Sequence, residues 1–393
     1  MVSDLLFSRL DSRRPHFGVK YELMKVAIDS GPLQSGHKVR GIGMYTRELV
    51  QELKKLKNRE FKIDAVDFEK ADLGKYDIVH YTHFNPYFLT LPKKKFTKEV
   101  VTIHDLIQLI YPKQYAGGIR GNMRYFLQKY LIKRVDAIIA VSQTTKKDIV
   151  RFLDIPSNRI HVIHEAPCNT FRRIGKDNAT LQRAVVKYKL PKKFVLYVGD
   201  INYNKNIPAL IEACKIAKTP LVICGKQALD VENQGVDLPS LRGPRDWLRF
   251  VFGRPHPELA HYKKLLKEFK TNKDIFRLGY VPIDDLVAVY NLASVYVQPS
   301  FYEGFGLPVL EAMACETPVV IAKNNALVEV AGKAALRANP KDPKDLANKI
   351  RQVLNNESTR IKLIREGNKR VKDFSWAKTT KETVKVYKSV FGG

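Results

Sequence analysis

Short β-branched runs bounded by turn residues recur along this chain. A first series comprises "KVAIDS" (25–30), "FKIDAVD" (61–67), "DIVHYT" (77–82), "EVVTIHD" (99–105), "DAIIAVS" (136–142) and "IHVIHE" (160–165). Stretches with helical spacing separate several of them, such as "MYTRELVQELKKLK" (44–57). Apolar strands alternating with helices predict a mostly parallel sheet covered on both faces. The polar, basic stretch 171–194 has no strand character and reads as a connection. A second series follows it: "FVLYVGD" (194–200), "TPLVICG" (219–225), "DIFRLGY" (274–280), "SVYVQPS" (294–300) and "TPVVIA" (317–322). Two successive strand–helix series predict an α/β protein of two Rossmann-like domains facing each other across a cleft, where ligands of such sheets bind. Residues 1–23 read as an extension ahead of a first strand near Met24. The domains are expected at 24–175, completed by a C-terminal helix at about 376–393, and at 190–375.

The stretch "PSFYEGFGLPVLEAMACETPVV" (299–320) lies between two of these strands. It reads as a strand exit, a glycine-rich turn and a helix with Pro308 near its first position, where proline is tolerated. Gly304 and Gly306 permit a sharp bend and leave amides uncovered, and a helix N-terminus beside them attracts anions. Yet Glu303 sits in that turn and Glu311 about one turn into the helix, with seven residues between them. Hydroxyl groups of a sugar and a ribose would want such acceptors.

Composition is globular, with 45% hydrophobic and 27% charged residues, but the formal net charge is +28. Such an excess suggests a polyanionic partner or an anionic surface and says nothing about fold. The four cysteines, Cys168, Cys214, Cys224 and Cys315, are scattered without a CxxC pair, which argues against zinc and redox motifs and for free thiols in a reduced cytosol. The run "MVSDLLFSRLDSRRPHF" has no continuous apolar core and does not read as a signal peptide.

"YEGFGLPVLEAMACETPVV" resembles the nucleotide-sugar motif of retaining glycosyltransferases of family 4, which have the GT-B fold. The resemblance extends from about Met24 to the end of the chain. It takes in "VRGIGMYTREL", similar to the family's first glycine loop, and "VTIHDLI", similar to its histidine-bearing strand end. "YVGDINYNKNIPALIEA" resembles the diphosphate loop, "LGYVPIDDLVAVYNLASVYVQPS" the base-pocket region, and "FSWAKTTKETVKVY" the helices that cross back to the first domain.

The resemblance implies roles. Glu303 would hold hydroxyls of the donor sugar and Glu311 those of the ribose. The amides of Gly304, Phe305 and Gly306, with Leu307 behind them, would face the sugar and diphosphate. Lys205, just ahead of a helix at Ile207–Pro208, would neutralise the leaving diphosphate. Asn204 stands where members often carry an arginine, and Asp200 occupies the other such place, which leaves Arg277 or Lys226 as helpers of Lys205. Gly279 and Tyr280 would border the base pocket. His104 would contact donor sugar or acceptor, with His83 a weaker candidate, and Gly41 and Gly43 would bring a first-domain loop to the diphosphate and acceptor.

Asp284 and Asp285 are expected to cap a helix rather than bind metal. The expected reaction is therefore metal-independent, with no cofactor beyond the nucleoside-diphosphate sugar. It would move a hexose of mannose or glucose type to a lipid-linked or saccharide acceptor in cell-envelope polysaccharide or glycolipid synthesis. The alternatives are a sugar-nucleotide epimerase of related fold, or a basic nucleic-acid-binding protein, for which the chain has no module signature and only diffuse lysine. The segment 113–135 has six basic residues, no acidic one and interspersed aromatics, and 261–273 is a second lysine-dense stretch. Both favour a cytoplasmic enzyme that docks peripherally on an anionic inner-membrane face. Arg120 and Arg124 share one helical face while Lys129 and Lys133 lie nearly opposite, so the segment has no single basic stripe.

Overall fold

The computed structural model describes residues 23–34, 41–56, 60–175, 177–233 and 257–392. Residues 1–22 of the expected extension lie outside them.

Valine, isoleucine and alanine dominate the strands. Ile78–Tyr81 (β3), Ala137–Ala140 (β5), Leu221–Cys224 (β8), Val295–Gln298 (β10) and Val319–Ala322 (β11) are buried at every position. Burial on both faces is what a parallel sheet covered by helices requires. The first sheet has the order β2-β1-β3-β4-β5-β6, adding β1 (Met24–Asp29), β2 (Phe61–Val66), β4 (Lys98–Ile103) and β6 (Ile160–Val162). The second has the order β12-β11-β10-β7-β8-β9, with β7 at Val195–Val198, β9 at Ile275–Gly279 and β12 at Ala335–Ala338. Neighbouring strands are parallel in both sheets. Order in the second sheet reverses between β7 and β10, the switch point where ligands of such sheets sit.

The last helix, Trp376–Phe391, starts at an N-cap in which Ser375 accepts from the Lys378 amide. It returns to the first sheet, where the Tyr387 hydroxyl meets His80 Nδ1 at 2.6 Å. Both groups are fully buried, and burial drives the His80 imidazole down to about 3.

Two local expectations are corrected, and two further elements stand where the sequence announced none. The helix expected from Met44 begins at Gly41 and runs to Lys55, so Gly41 and Gly43 belong to its first turn rather than to a loop. The connection 171–194 contains a helix, Ala179–Tyr188, whose Leu181 and Ala184 pack on Ala288. β12 carries Arg337 between alanines at a sheet edge, too weak a pattern to announce a strand. Asp284 and Asp285 lie in the first turn of the helix Ile283–Leu292 but do not cap it; its N-cap is Pro282, and Asp285 accepts from Lys187 and Tyr188.

Candidate active site

β7 and β10 are adjacent, so the loops leaving their carboxyl ends converge. After β7 a 3-10 turn, Tyr203–Lys205, leads into the helix Ile207–Ala217. After β10 the chain turns at 299–306 and enters the helix Leu307–Ala314. Gly306 is that helix's N-cap at φ 110°, a backbone region that glycine favours.

This convergence brings Lys205 and Glu303 together. Lys205 Nζ donates to Glu303 Oε1 at 2.9 Å and Oε2 at 2.8 Å. Gln298 Nε2 at 2.7 Å and Ser300 Oγ at 2.6 Å also donate to Oε1. Three side chains thus hold the Glu303 carboxyl group in place. Burial alone would lower the Lys205 ammonium; the Glu303 charge and hydrogen bonds, with Asp200 and Asp105 nearby, carry it above the ordinary lysine value. Its side chain keeps 21% of its surface exposed, so a ligand can reach it.

Asn204 is buried, and its groups are spent on structure: Oδ1 accepts from the Tyr115 hydroxyl at 2.6 Å and Nδ2 donates to the Tyr302 carbonyl at 3.1 Å. The candidate helpers of Lys205 face elsewhere. Arg277 stacks on Phe269 and donates to the Ala228 carbonyl, while Lys226 lies 4.0 Å from Asp230.

Glu311 is 7% exposed and accepts from the Tyr290 hydroxyl at 2.8 Å. Burial pushes its carboxyl up to about 7, against the Tyr290 hydrogen bond. Phe305 packs its ring near His164 and Phe374, and Leu307 opens the helix against the core. Gly279 ends β9 at φ 67°, its carbonyl accepting from the Gly225 amide, and Tyr280 beside it is exposed.

The first sheet brings His104 to the same place. Its Nδ1 meets Glu165 Oε1 at 2.6 Å and its Nε2 meets the Thr82 carbonyl at 3.0 Å. A carboxylate and a carbonyl only accept, so both ring nitrogens must carry protons. Burial opposes that charge, but Glu165 and the Thr82 carbonyl outweigh it and raise the imidazole above its ordinary value. A sugar contact through the ring would require exchange of one of these partners. Asp105 beside it is half-buried; desolvation raises its carboxyl, while the Ile107 amide, His104 and Lys205 pull it down.

The two halves touch here. The Gly304 carbonyl accepts from Ser142 Oγ at 2.6 Å and from Thr145 Oγ1 at 3.2 Å; Thr145 also donates to the His104 carbonyl. A Cβ on Gly304 would lie 2.0 Å from the His104 carbonyl oxygen, so only glycine fits. Farther along, Glu329 of the second half accepts from the Gln143 amide and from His164 Nε2, each at 2.9 Å, and Tyr302 donates to Asp148.

Sequence reasoning missed Glu165, Ser142, Thr145 and Glu329. Glu165 ends an apolar strand run, and Ser142 precedes a helix as an N-cap, the only signals either gave. Gln298 and Ser300 stood at the end of a strand whose other residues are mostly apolar. Among the described residues no group of three or more His, Cys, Asp or Glu could hold a metal ion, and no helix is long and apolar enough to cross a membrane.

Two Rossmann-type sheets closing over paired loops at a switch point make the GT-B fold. The family model for glycosyl transferases group 1 matches residues 178–370, and that for glycosyltransferase family 4 matches 67–166. The O-antigen chain mannosyltransferase B of Escherichia coli is 31% identical over 325 residues, 79% of this chain and 75% of that protein. The serotype-specific mannosyltransferase WbdA of Escherichia coli is 30% identical over 302 residues, 76% of this chain but 34% of that longer protein. Sucrose-phosphate synthase from Thermosynechococcus elongatus superposes with a TM-score of 0.67 at 20% identity, covering 94% of this chain and 99% of that one. HepE from Anabaena, solved with UDP and glucose, superposes at 0.66 with 14% identity, covering 93% and 100%. The chain belongs to the family 4 glycosyltransferases of glycosyl transferases group 1.

Proposed function

We propose that the protein transfers a hexose from a nucleoside-diphosphate sugar to a hydroxyl of a saccharide or lipid-linked acceptor, with retention and without a metal, in the assembly of a cell-envelope polysaccharide or glycolipid. The observation that carries this reading is the Lys205–Glu303 pair at the switch point, a cation and an acceptor side by side where a diphosphate and a sugar would meet. Relatives named as mannosyltransferases favour mannose as the hexose.

The donor diphosphate lies against Lys205 and the start of the Ile207–Ala217 helix, whose dipole adds positive potential. It competes with Glu303 for the ammonium and leaves Glu303 free to accept from sugar hydroxyls. As the glycosidic bond breaks, the sugar carbon becomes oxocarbenium-like and negative charge grows on the phosphate. Lys205 stabilises that charge best in a closed cleft of low dielectric. The acceptor hydroxyl attacks from the face of the leaving group, whose phosphate oxygen takes its proton, so no enzyme base is required. The His104 imidazolium adds positive charge at the opposite wall, and Glu165 positions it. Glu311 takes the ribose hydroxyls.

A screen of donor hydrolysis and transfer with GDP-mannose, UDP-glucose and other nucleotide sugars tests the reading. Turnover of one donor that depends on Lys205 is expected. Failure of every nucleotide sugar, with tight binding of random oligonucleotides instead, would overturn it.

A further inference from the structure

The helix Gly118–Ile132 in the first half buries Gly121, Gln128, Leu131 and Ile132. Its opposite face should be polar, and it is not. Ile119 is 64% exposed, Met123 68%, Phe126 70% and Tyr130 71%. With about 100° between successive residues, these four fall within a sector of roughly 60°, diametrically across from the buried face. They form a ridge one side chain wide along the outermost line of the helix. Lys129 and Lys133 lie along one edge of the ridge and Arg120 toward the other, with the exposed Arg124 farther round the helix. The opposed basic residues, which denied the segment a single basic stripe, flank an apolar one. Asp154 pairs with Lys129 at 2.7 Å and lies 3.7 Å from Lys133, which leaves that edge net positive. Phe88 and Leu89, 62% and 55% exposed, stand on a loop stitched to the same helix: Gln128 Oε1 accepts from the Thr90 and Leu91 amides at 3.2 and 3.1 Å.

We propose that this ridge is a membrane-docking surface: Ile119, Met123, Phe126 and Tyr130 enter the headgroup layer of an anionic bilayer while the cations on both edges pair with its phosphates. A protein partner is the weaker fit, because a stable interface takes about 20–30 residues a side, whereas the ridge is convex and a single residue wide. An interfacial helix needs only an apolar strip sunk about 5–10 Å, with lysine and arginine beside it. The net charge of +28 matches an anionic surface. Docking also sets the position of the cleft. Tyr115, just ahead of this helix, donates to Asn204, the neighbour of Lys205. A docked enzyme therefore opens its active site beside the lipid headgroups, where an acceptor carried on a lipid would present its hydroxyl. This last step rests on the glycosyltransferase reading; the docking itself does not.

Co-sedimentation of the full chain with vesicles of phosphatidylcholine, with or without phosphatidylglycerol, tests it. Wild type should bind the anionic vesicles and leave the neutral ones. The Met123→Ser/Phe126→Ser variant should lose binding by about tenfold or more. Arg120→Glu/Arg124→Glu should lose it as well. Both variants change exposed side chains, so unchanged melting and unchanged donor hydrolysis are expected; loss of hydrolysis in wild type would strike the enzymatic reading and leave docking standing. Wild-type binding that survives the serine substitutions would overturn insertion of the ridge. So would a wild-type dimer in sedimentation equilibrium that those substitutions dissociate, since the ridge would then be covered by a second copy.

Discussion

At the ends of β7 and β10 a lysine and a glutamate grip each other, and the lysine still keeps 21% of its side chain exposed. At the ends of β4 and β6 a histidine and a glutamate do the same, but the ring's second nitrogen is taken by a carbonyl and its side chain is only 14% exposed. Both are cation–carboxylate pairs at strand ends of parallel sheets. In the proposed mechanism the second-half pair trades its internal partner for a diphosphate and a sugar hydroxyl. In the first half every donor has a fixed acceptor, so the charge is part of the wall. Function in this cleft therefore divides into an exchangeable side and a rigid one, with Gly304 at the seam.

The sharpest way to break this contrast is to remove the exchangeable cation. Lys205→Ala should lower turnover roughly 100- to 1000-fold, about 3–4 kcal/mol, the loss of one preorganised charge-stabilising donor. Glu303 keeps Gln298 and Ser300 as donors, so circular dichroism should show a folded protein. Turnover within threefold of wild type would place the leaving group elsewhere.

Gly304→Ala attacks the seam. The new methyl meets the His104 carbonyl oxygen at 2.0 Å, so the halves must part. A misplacement on the order of 1 Å costs about 100-fold in rate. Small-angle scattering should show a more open molecule, and an unchanged scattering profile with full activity would refute the seam.

Glu165→Gln probes the rigid side through stability rather than chemistry. Folding raises the His104 imidazole, so the pair stabilises the fold fully below the ordinary value of 6.5 and is lost as pH rises through the higher folded value. Losing this charged hydrogen bond should cost about 1.5–3 kcal/mol at pH 6, with the deficit shrinking in alkali. Melting curves from pH 5 to 9 read it; a deficit independent of pH would mean that His104 is neutral.

The smallest effect concerns Glu311. Its carboxyl is raised from 4.5 to about 7, so the stability it contributes is complete below 4.5 and lost as pH climbs through 7. Glu311→Gln should flatten that slope and be more stable than wild type at pH 8 by about 1–3 kcal/mol, read from melting curves. Glu311→Ala should weaken binding of free GDP or UDP in calorimetry. Nucleotide affinity equal to wild type in the alanine variant would remove the ribose role.

The exchangeable side was legible in the sequence and the rigid side mostly was not. Glu303 and Lys205 sit in glycine- and proline-marked turns whose geometry follows from local residue types, and 11 of the 12 strands in the described fold were marked by β-branched runs, including those that flank the switch point. Glu165 lies 61 residues from His104 and Ser142 lies 162 from Gly304, so nothing local marks either partnership. The start of the helix at Gly41 escaped notice because glycine is a poor helix former, though one suited to a first turn. The segment holding Gly118–Ile132 was legible as basic and aromatic but without a single stripe; only the packing of Gln128 and Leu131 reveals which way the helix is turned.

The closing helix imposes an order on biosynthesis. His80 and Tyr387 are 307 residues apart, so the first sheet cannot bury its histidine until synthesis has passed Tyr387. The second sheet, whose strands run from Val195 to Ala338, has all of its own strands available before then. The unit made first is thus finished last, and it waits with an open apolar flank that chaperones would have to shield. Any message truncated upstream of Trp376 yields a chain with that flank permanently uncovered, a ready substrate for proteolytic quality control.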